Sequence, residues 1–172
     1  MIKTLSPREL DAALPTFIDL LQESVNEGAS LGFHAPLASR EALEYWQSLR
    51  PQLESGSRVL LAAYADGRIV GSGQLALAPW PNGSHRASLE KLFVAGAMRG
   101  RGLGKGIIIA LEEAAMLRGR TLLLINARRD DPAELLYKRM GYREFGIIPG
   151  YTRTADGLRY DNVCMYRELT LS

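Results

Sequence analysis

With 172 residues, 47% of them apolar, the chain is long enough to bury one hydrophobic core and too short for two ordinary domains, so a single domain over 1–172 is expected. Its 21 basic and 19 acidic residues leave a formal charge of +2, a balance that supplies neither the basic stripe of a nucleic-acid binder nor a disordered acidic tail. Cys164 stands alone, which excludes a disulfide framework and a multi-cysteine metal site; it reads as a small buried apolar residue in a reducing compartment. The first residues, MIKTLSPREL, lack an apolar h-region, and no run reaches about 18 apolar residues, so neither a secretion signal nor a membrane span is expected and a cytoplasmic location follows.

A short strand at Ile2 to Leu5 leads into Ser6-Pro7-Arg8-Glu9, which places an N-cap serine, a proline at the first helical position and a glutamate at the third. Leu10, Ala13, Leu14, Phe17, Ile18 and Leu21 keep helical spacing beyond it, with Pro15 expected to kink or break the helix. The stretch 27-EGASLGFHAPL-37 reads as a loop. Ser39 opens a second helical pattern with Leu43, Trp46 and Leu49 on one face, interrupted by Pro51 and closed by Gly56. From Arg58 the period changes: VLLAAYA, Asp66-Gly67 and RIVGSGQLALA read as a hairpin. After a turn at Pro81 to Ser84 come a strand, 86-RASLEKLFV-94, a glycine-rich loop, a helix to about Leu117 and an apolar strand, 121-TLLLIN-126. Asp131-Pro132 caps a short helix that Gly141 ends, and two last strands flank Asp156-Gly157. This order predicts an α/β fold whose central sheet is mixed but mostly antiparallel, with one β-α-β crossover and helices on both faces.

The loop 98-MRGRGLGKGI-107 invites a phosphate, but not a nucleotide triphosphate: a P-loop needs glycine where Arg99 stands and Ser or Thr where Gly106 stands. A dinucleotide fingerprint fits no better, because its third glycine falls on Lys105 or Ile107 and Asn126 occupies the place of the ribose-binding acid. Two readings stay open at this point, a tight strand-to-helix turn and an anion cradle. In the cradle the unpaired amides of the helix N-terminus face a phosphate beside Arg99, Arg101 and Lys105.

Arg99-x-x-Gly102-x-Gly104 after Leu92-Phe93-Val94, followed by 133-AELLYKRMGY-142, resembles the two coenzyme motifs of the GNAT superfamily of N-acetyltransferases. The runs 27-EGASLGF-33, 82-NGSHRA-87, 91-KL-92, 99-RGRGLG-104, 147-IIPGY-151 and 155-ADG-157 are similar to the tabtoxin-resistance type within it. That resemblance implies an acetyl-CoA-dependent enzyme with no metal. The coenzyme is flanked by Leu92, Phe93, Val94, Asn126, Ala133, Leu136 and Tyr137, and its pyrophosphate sits on Arg99, Gly100, Arg101, Gly102, Leu103, Gly104 and Lys105. The acceptor it implies is a small amine, an amino acid or an antimetabolite subject to resistance; a protein or peptide amine and a non-catalytic acyl-CoA sensor are the alternatives. Neither nucleic acid nor membrane is an expected partner, and a homodimer is an assembly it allows. The subfamily carries a glutamate at the position of Ser88 and an aspartate at that of Asn126, and both acids are missing here.

Acetyl transfer needs a deprotonated amine, a stabilised oxyanion and a protonated leaving thiolate. Strict alternation along the strand would put Ser88, Glu90, Leu92 and Val94 on one face, which makes Glu90 the candidate base. Ser88 and Asn126 are candidate hydrogen-bond partners for substrate or water. Tyr137 matches the tyrosine that superfamily members use as acid, and a main-chain amide near Phe93 or Val94 is the candidate oxyanion donor. His34 and His85 lack metal-ligand spacing, and Arg128-Arg129-Asp130-Asp131 reads as a solvated turn and cap. Trp46, Trp80, Phe33 and Tyr151 read first as packing residues and second as walls of an acceptor pocket.

Overall fold

The computed structural model describes residues 1–170, so the last two residues of the expected domain lie outside it. After β1 (Ile2–Thr4) comes α1 (Pro7–Asn26), whose start is a complete capping box: Ser6 Oγ accepts from the Glu9 amide while the Glu9 carboxylate accepts from the Ser6 amide. Contrary to expectation, α1 runs unbroken through Pro15. Pro15 and Asp11 both lie on the solvent face, so the Asp11 carbonyl that loses its donor is open to hydration while Leu10, Phe17 and Leu21 hold the other face in the core. Helices α2 (Ser39–Ser48) and α3 (Arg50–Glu54) follow, with Pro51 in the first turn of α3. Trp46 is fully buried against Phe17, whose carbonyl accepts its indole N–H at 3.0 Å.

Strands β2 (Arg58–Ala65) and β3 (Arg68–Leu77) form the expected hairpin, and Asp66 and Gly67 both take positive φ (48° and 75°), the twist a two-residue turn needs. Strand β4 (Arg86–Val94), helix α4 (Leu103–Met116) and β5 (Leu122–Arg128) make the crossover; α5 (Pro132–Arg139) then leads to the hairpin of β6 (Arg143–Arg153) and β7 (Arg159–Glu168). The sheet order is β1-β2-β3-β4-β5-β7-β6, and β4–β5 is its parallel pair. Helices α4 and α5 cover one face over Leu75, Leu89, Leu123 and Met165, and α1 and α2 cover the other over Leu60, Ala62 and Phe93. Gly73 lets α4 lie close on β3: a Cβ there would come within 2.6 Å of Ile107.

Two local departures from regular pairing shape everything that follows. First, β4 and β5 pair only from Arg86↔Leu122 to Ser88↔Leu124 and then part. Second, β3 and β4 slip register between Gln74↔Glu90 and Ser72↔Phe93, so that two residues, Lys91 and Leu92, stand opposite Gly73 alone. Lys91 takes φ +51° at this bulge, a left-handed conformation costing a lysine roughly 1 kcal/mol. The bulge inverts the alternation. Ser88 and Glu90 face α1 and α2, Lys91 projects the same way, and Leu92 and Val94 join the α4 core while Phe93 joins the other. The single face expected for Ser88, Glu90, Leu92 and Val94 is therefore corrected to two.

Candidate active site

Where β4 and β5 part, main-chain groups beyond Ser88 and Leu124 lose their strand partner, and a cavity of about 670 Å³ opens in the V. Its walls are Leu89 to Val94 from β4, Ile125 to Arg128 from β5, the glycine loop, the start of α5 and the segment after α1 from Glu27 to Leu31. Of the residues expected to flank a coenzyme, Leu92, Phe93, Val94, Asn126, Ala133, Leu136 and Tyr137 all line it.

The glycine loop closes one end. Gly100 and Gly102 both have left-handed φ (75° and 79°), and Gly102 is the N-cap of α4, whose first intrahelical bond from this end is the Gly106 amide to the Gly102 carbonyl at 3.0 Å. That leaves the amides of Leu103, Gly104 and Lys105 as free donors at the positive end of the helix. A Cβ on Gly104 would meet Leu136 of α5 at 3.1 Å, so the absence of a side chain there keeps α4, α5 and the cavity floor together. Arg99 lines the cavity but is engaged: Nε donates to the Val94 carbonyl at 3.0 Å and Nη2 pairs with Glu27 at 2.6 Å. Glu23, one turn earlier, accepts the Gly96 amide at 2.7 Å, so the end of α1 is stitched to the loop. Arg101 is exposed and does not line the cavity. These residues fit a pyrophosphate at the loop and an extended amide-bearing arm along the parted strand edges.

Tyr137 enters from α5, buried to 4% exposure, with its ring 5.7 Å from that of Tyr142 and no hydrogen-bond partner for its hydroxyl among the described residues. Burial pushes its pKa above the ordinary tyrosine value, so the phenol holds its proton. Asp131 is the N-cap residue of α5, but its carboxylate pairs with Arg128 at 3.0 Å rather than with the helix amides, which corrects the expected side-chain cap.

On the α1/α2 side, Glu90 Oε2 accepts from Arg58 Nη1 at 2.7 Å, and the same nitrogen donates to Gln74 Oε1 at 2.8 Å. Gln74, fully buried, shares hydrogen bonds with the Tyr45 hydroxyl, whose pKa burial pushes up to about 12. One oxygen of Glu90 is thereby fixed; Oε1 has no partner among the described residues. Asn126 is exposed on the same side of β5. Ser88 sits below the V, where the strands are still paired, and does not line the cavity.

Several wall residues carried no functional signal in the sequence. Arg128 is part-buried rather than solvated: Nη2 donates to the Gly28 carbonyl at 2.9 Å and its guanidinium stacks 4.9 Å from the Tyr160 ring. It separates the main cavity from a second one of about 510 Å³, formed by the 28–35 loop and the β6–β7 hairpin and lined by Phe33 and His34. Trp46 belongs to the core, while Trp80 and Tyr151 are exposed away from both cavities. No helix among the described residues is long and apolar enough to cross a membrane.

Known proteins share this fold. An uncharacterised N-acetyltransferase from the hisH–hisA intergenic region of Azospirillum brasilense is 35% identical over 114 residues, 64% of this chain and 65% of that one, so the chain spans just under two-thirds of that relative's length. The ribosomal-protein-alanine N-acetyltransferase of Brucella melitensis shares the fold with a TM-score of 0.82 at 21% identity, over 98% of this chain and 99% of that one. So does yncA of Salmonella typhimurium, solved with its cofactor acetyl-CoA, with a TM-score of 0.79 at 14% identity over 100% of this chain and 95% of that one. The profile of the acetyltransferase (GNAT) family matches residues 21–142, well over half of the sequence and all of the V, and the chain belongs to that family.

Proposed function

We propose that the protein transfers the acetyl group of acetyl-CoA to the primary amine of a small molecule, an amino acid or an amine antimetabolite, by direct attack in a ternary complex. The observation that carries this reading is one continuous cavity lined by the glycine loop from Gly102 to Lys105, by Tyr137 and by Glu90. Likeness to the tabtoxin-resistance type supports a small acceptor. With Ser88 and Asn126 in place of that type's two acids, Glu90 takes over the basic role.

When bound, acetyl-CoA supplies an acyl thioester as electrophile. The amides of Leu103 to Lys105 hold its pyrophosphate, and the parted edges of β4 and β5 align its arm toward Tyr137. Glu90 Oε1, free while Arg58 fixes Oε2, accepts the proton of the attacking amine directly or through one water. A main-chain N–H near Phe93 or Val94 stabilises the oxyanion. As the C–S bond breaks, the Tyr137 hydroxyl donates a hydrogen bond to the departing sulfur. Because burial raises its pKa, the phenol stabilises the thiolate chiefly by that bond and completes proton transfer only as product leaves.

The test is thiol release from acetyl-CoA against amino acids, polyamines, aminoglycosides and peptides. Turnover with one of the small amines is the expected result. Turnover confined to peptides would make it a protein acetyltransferase, and tight acetyl-CoA binding without thiol release would make it a sensor.

A further inference from the structure

Lys91 is a part-buried cation in the cavity wall that has no carboxylate within ion-pair distance among the described residues, whereas Arg99 and Arg128 in the same wall are both paired. Its Nζ donates to the Leu31 carbonyl at 2.6 Å and stands 5.5 and 5.6 Å from the ring centroids of Phe33 and Tyr45. Two ring faces and one carbonyl offset only part of the cost of keeping an ammonium out of water, and they use one of its three donors. Burial accordingly lowers its pKa, against the opposing pull of Glu90.

The bulge gives this cation a specific neighbour. Glu90 and Lys91 are adjacent in the chain yet project to the same side, and both residues line the cavity. Beside Nζ runs bare backbone: Gly32, at φ +90°, lies so close that a Cβ would come within 2.9 Å of the nitrogen. A negative end on the ligand supplies the counter-ion that Lys91 lacks, and an amine a few bonds away then falls near Glu90.

We propose that Lys91 is a specificity residue that pairs with a carboxylate on the acceptor, so that the substrate is an amino acid or an analogue with amine and carboxylate close together, rather than a bare amine or a peptide N-terminus. This rests on the N-acetyltransferase reading above with Glu90 as base. A peptide carries a neutral amide where the amino acid carries its carboxylate, and it leaves Lys91 without a counter-ion.

The experiment measures thiol release for amino acids paired with their carboxamides and with the decarboxylated amines, in the parent, Lys91→Met and Lys91→Arg. Methionine keeps the stem between the rings and removes the charge; the change in the acid-to-amide ratio of kcat/KM between parent and variant cancels the different basicities of the two amines. The parent is expected to favour the acid, Lys91→Met to lower that ratio roughly 10²-fold and Lys91→Arg to restore part of it, with acetyl-CoA binding and melting temperature close to the parent's. If Lys91 only clamps the 28–33 loop, acid and amide fall together and the ratio stays put, which overturns the proposal. A parent that acetylates amides or decarboxylated amines as fast as acids overturns it without any variant. Release with peptides alone, or none at all, removes the small-molecule reading and this proposal with it.

Discussion

Arg58 Nη1 holds Glu90 Oε2 at 2.7 Å from a position two strands away, so the candidate base is anchored at one oxygen and free at the other. Glu90→Gln keeps the shape and removes the basicity. It is expected to bind acetyl-CoA as the parent does, to lose roughly 10²-fold in turnover, and to regain rate as pH rises toward the acceptor amine's own pKa, where less proton removal is needed. A parent-like pH–rate profile in Glu90→Gln, together with faster transfer in Ser88→Glu or Asn126→Asp, would return the role of base to solvent.

Gly104→Val puts a branched side chain between Leu136 and the loop amides. The protein should fold, since the first obstacle is the end of a flexible leucine, but acetyl-CoA affinity should fall at least about tenfold, or ~1.4 kcal/mol. Glu27→Gln acts the other way: it releases Arg99 and removes a negative charge from the cavity mouth, so the coenzyme should bind as tightly as before or more tightly. Calorimetric titration of both variants checks the assignment, and unchanged binding in Gly104→Val refutes it.

Because the Tyr137 hydroxyl has no hydrogen-bond partner among the described residues, Tyr137→Phe should leave the melting temperature near neutral pH almost unchanged while kcat falls by at least about tenfold and coenzyme binding holds. An unchanged kcat would leave the residue a purely structural one. The same variant tests the ionisation. Burial raises the folded pKa, so above the unfolded tyrosine value of about 10 the unfolded chain gives up a proton that the folded chain keeps, and stability falls as pH climbs past that point. Melting curves between about pH 9 and 11.5 should fall less steeply for Tyr137→Phe than for the parent, because one such group is gone.

Glu112 on α4 is buried and accepts from Tyr142 at 3.0 Å and Arg167 at 2.8 Å; burial pushes its carboxyl above the usual range against those bonds. Arg167 is a third exposed and also bonds the Met140 carbonyl. Removing the cation strands the carboxylate, whereas removing the carboxylate leaves a cation that reaches water. Arg167→Met should therefore cost about 2 kcal/mol, more than Glu112→Leu, in denaturant unfolding. The reverse order would count against the ion pair as the support of this buried carboxylate.

The parts of this molecule legible in the sequence are those written in short-range chemistry. The capping box at Ser6, the Asp66-Gly67 turn, and the glycines before α4 each depend on residues within a few positions of one another. The bulge at Lys91 was not legible, because nothing between Arg86 and Val94 announces it; it follows from how β4 meets Gly73, itself cleared of a side chain by α4. One residue of slip was enough to move Glu90 away from Leu92 and to bring Lys91 beside it. Pro15 misled for a related reason: a proline's cost depends on whether the carbonyl it abandons faces solvent. Arg128 reads as part of a charged turn, and only tertiary packing against Gly28 and Tyr160 makes it a wall between two cavities.

Among the described residues three strand pairs, Arg86 to Ser88 against Leu122 to Leu124, rivet the β1–β4 blade of the sheet to the blade of β5, β7 and β6. Glu90 rides on one blade, and Tyr137, through α5, on the other. The proposed base and the proposed acid are thus carried on separate arms, and their spacing is an angle set at the rivet. A substitution such as Ser88→Val that opens or closes this angle touches neither group, yet it changes the reach between them, and kcat and KM would move together.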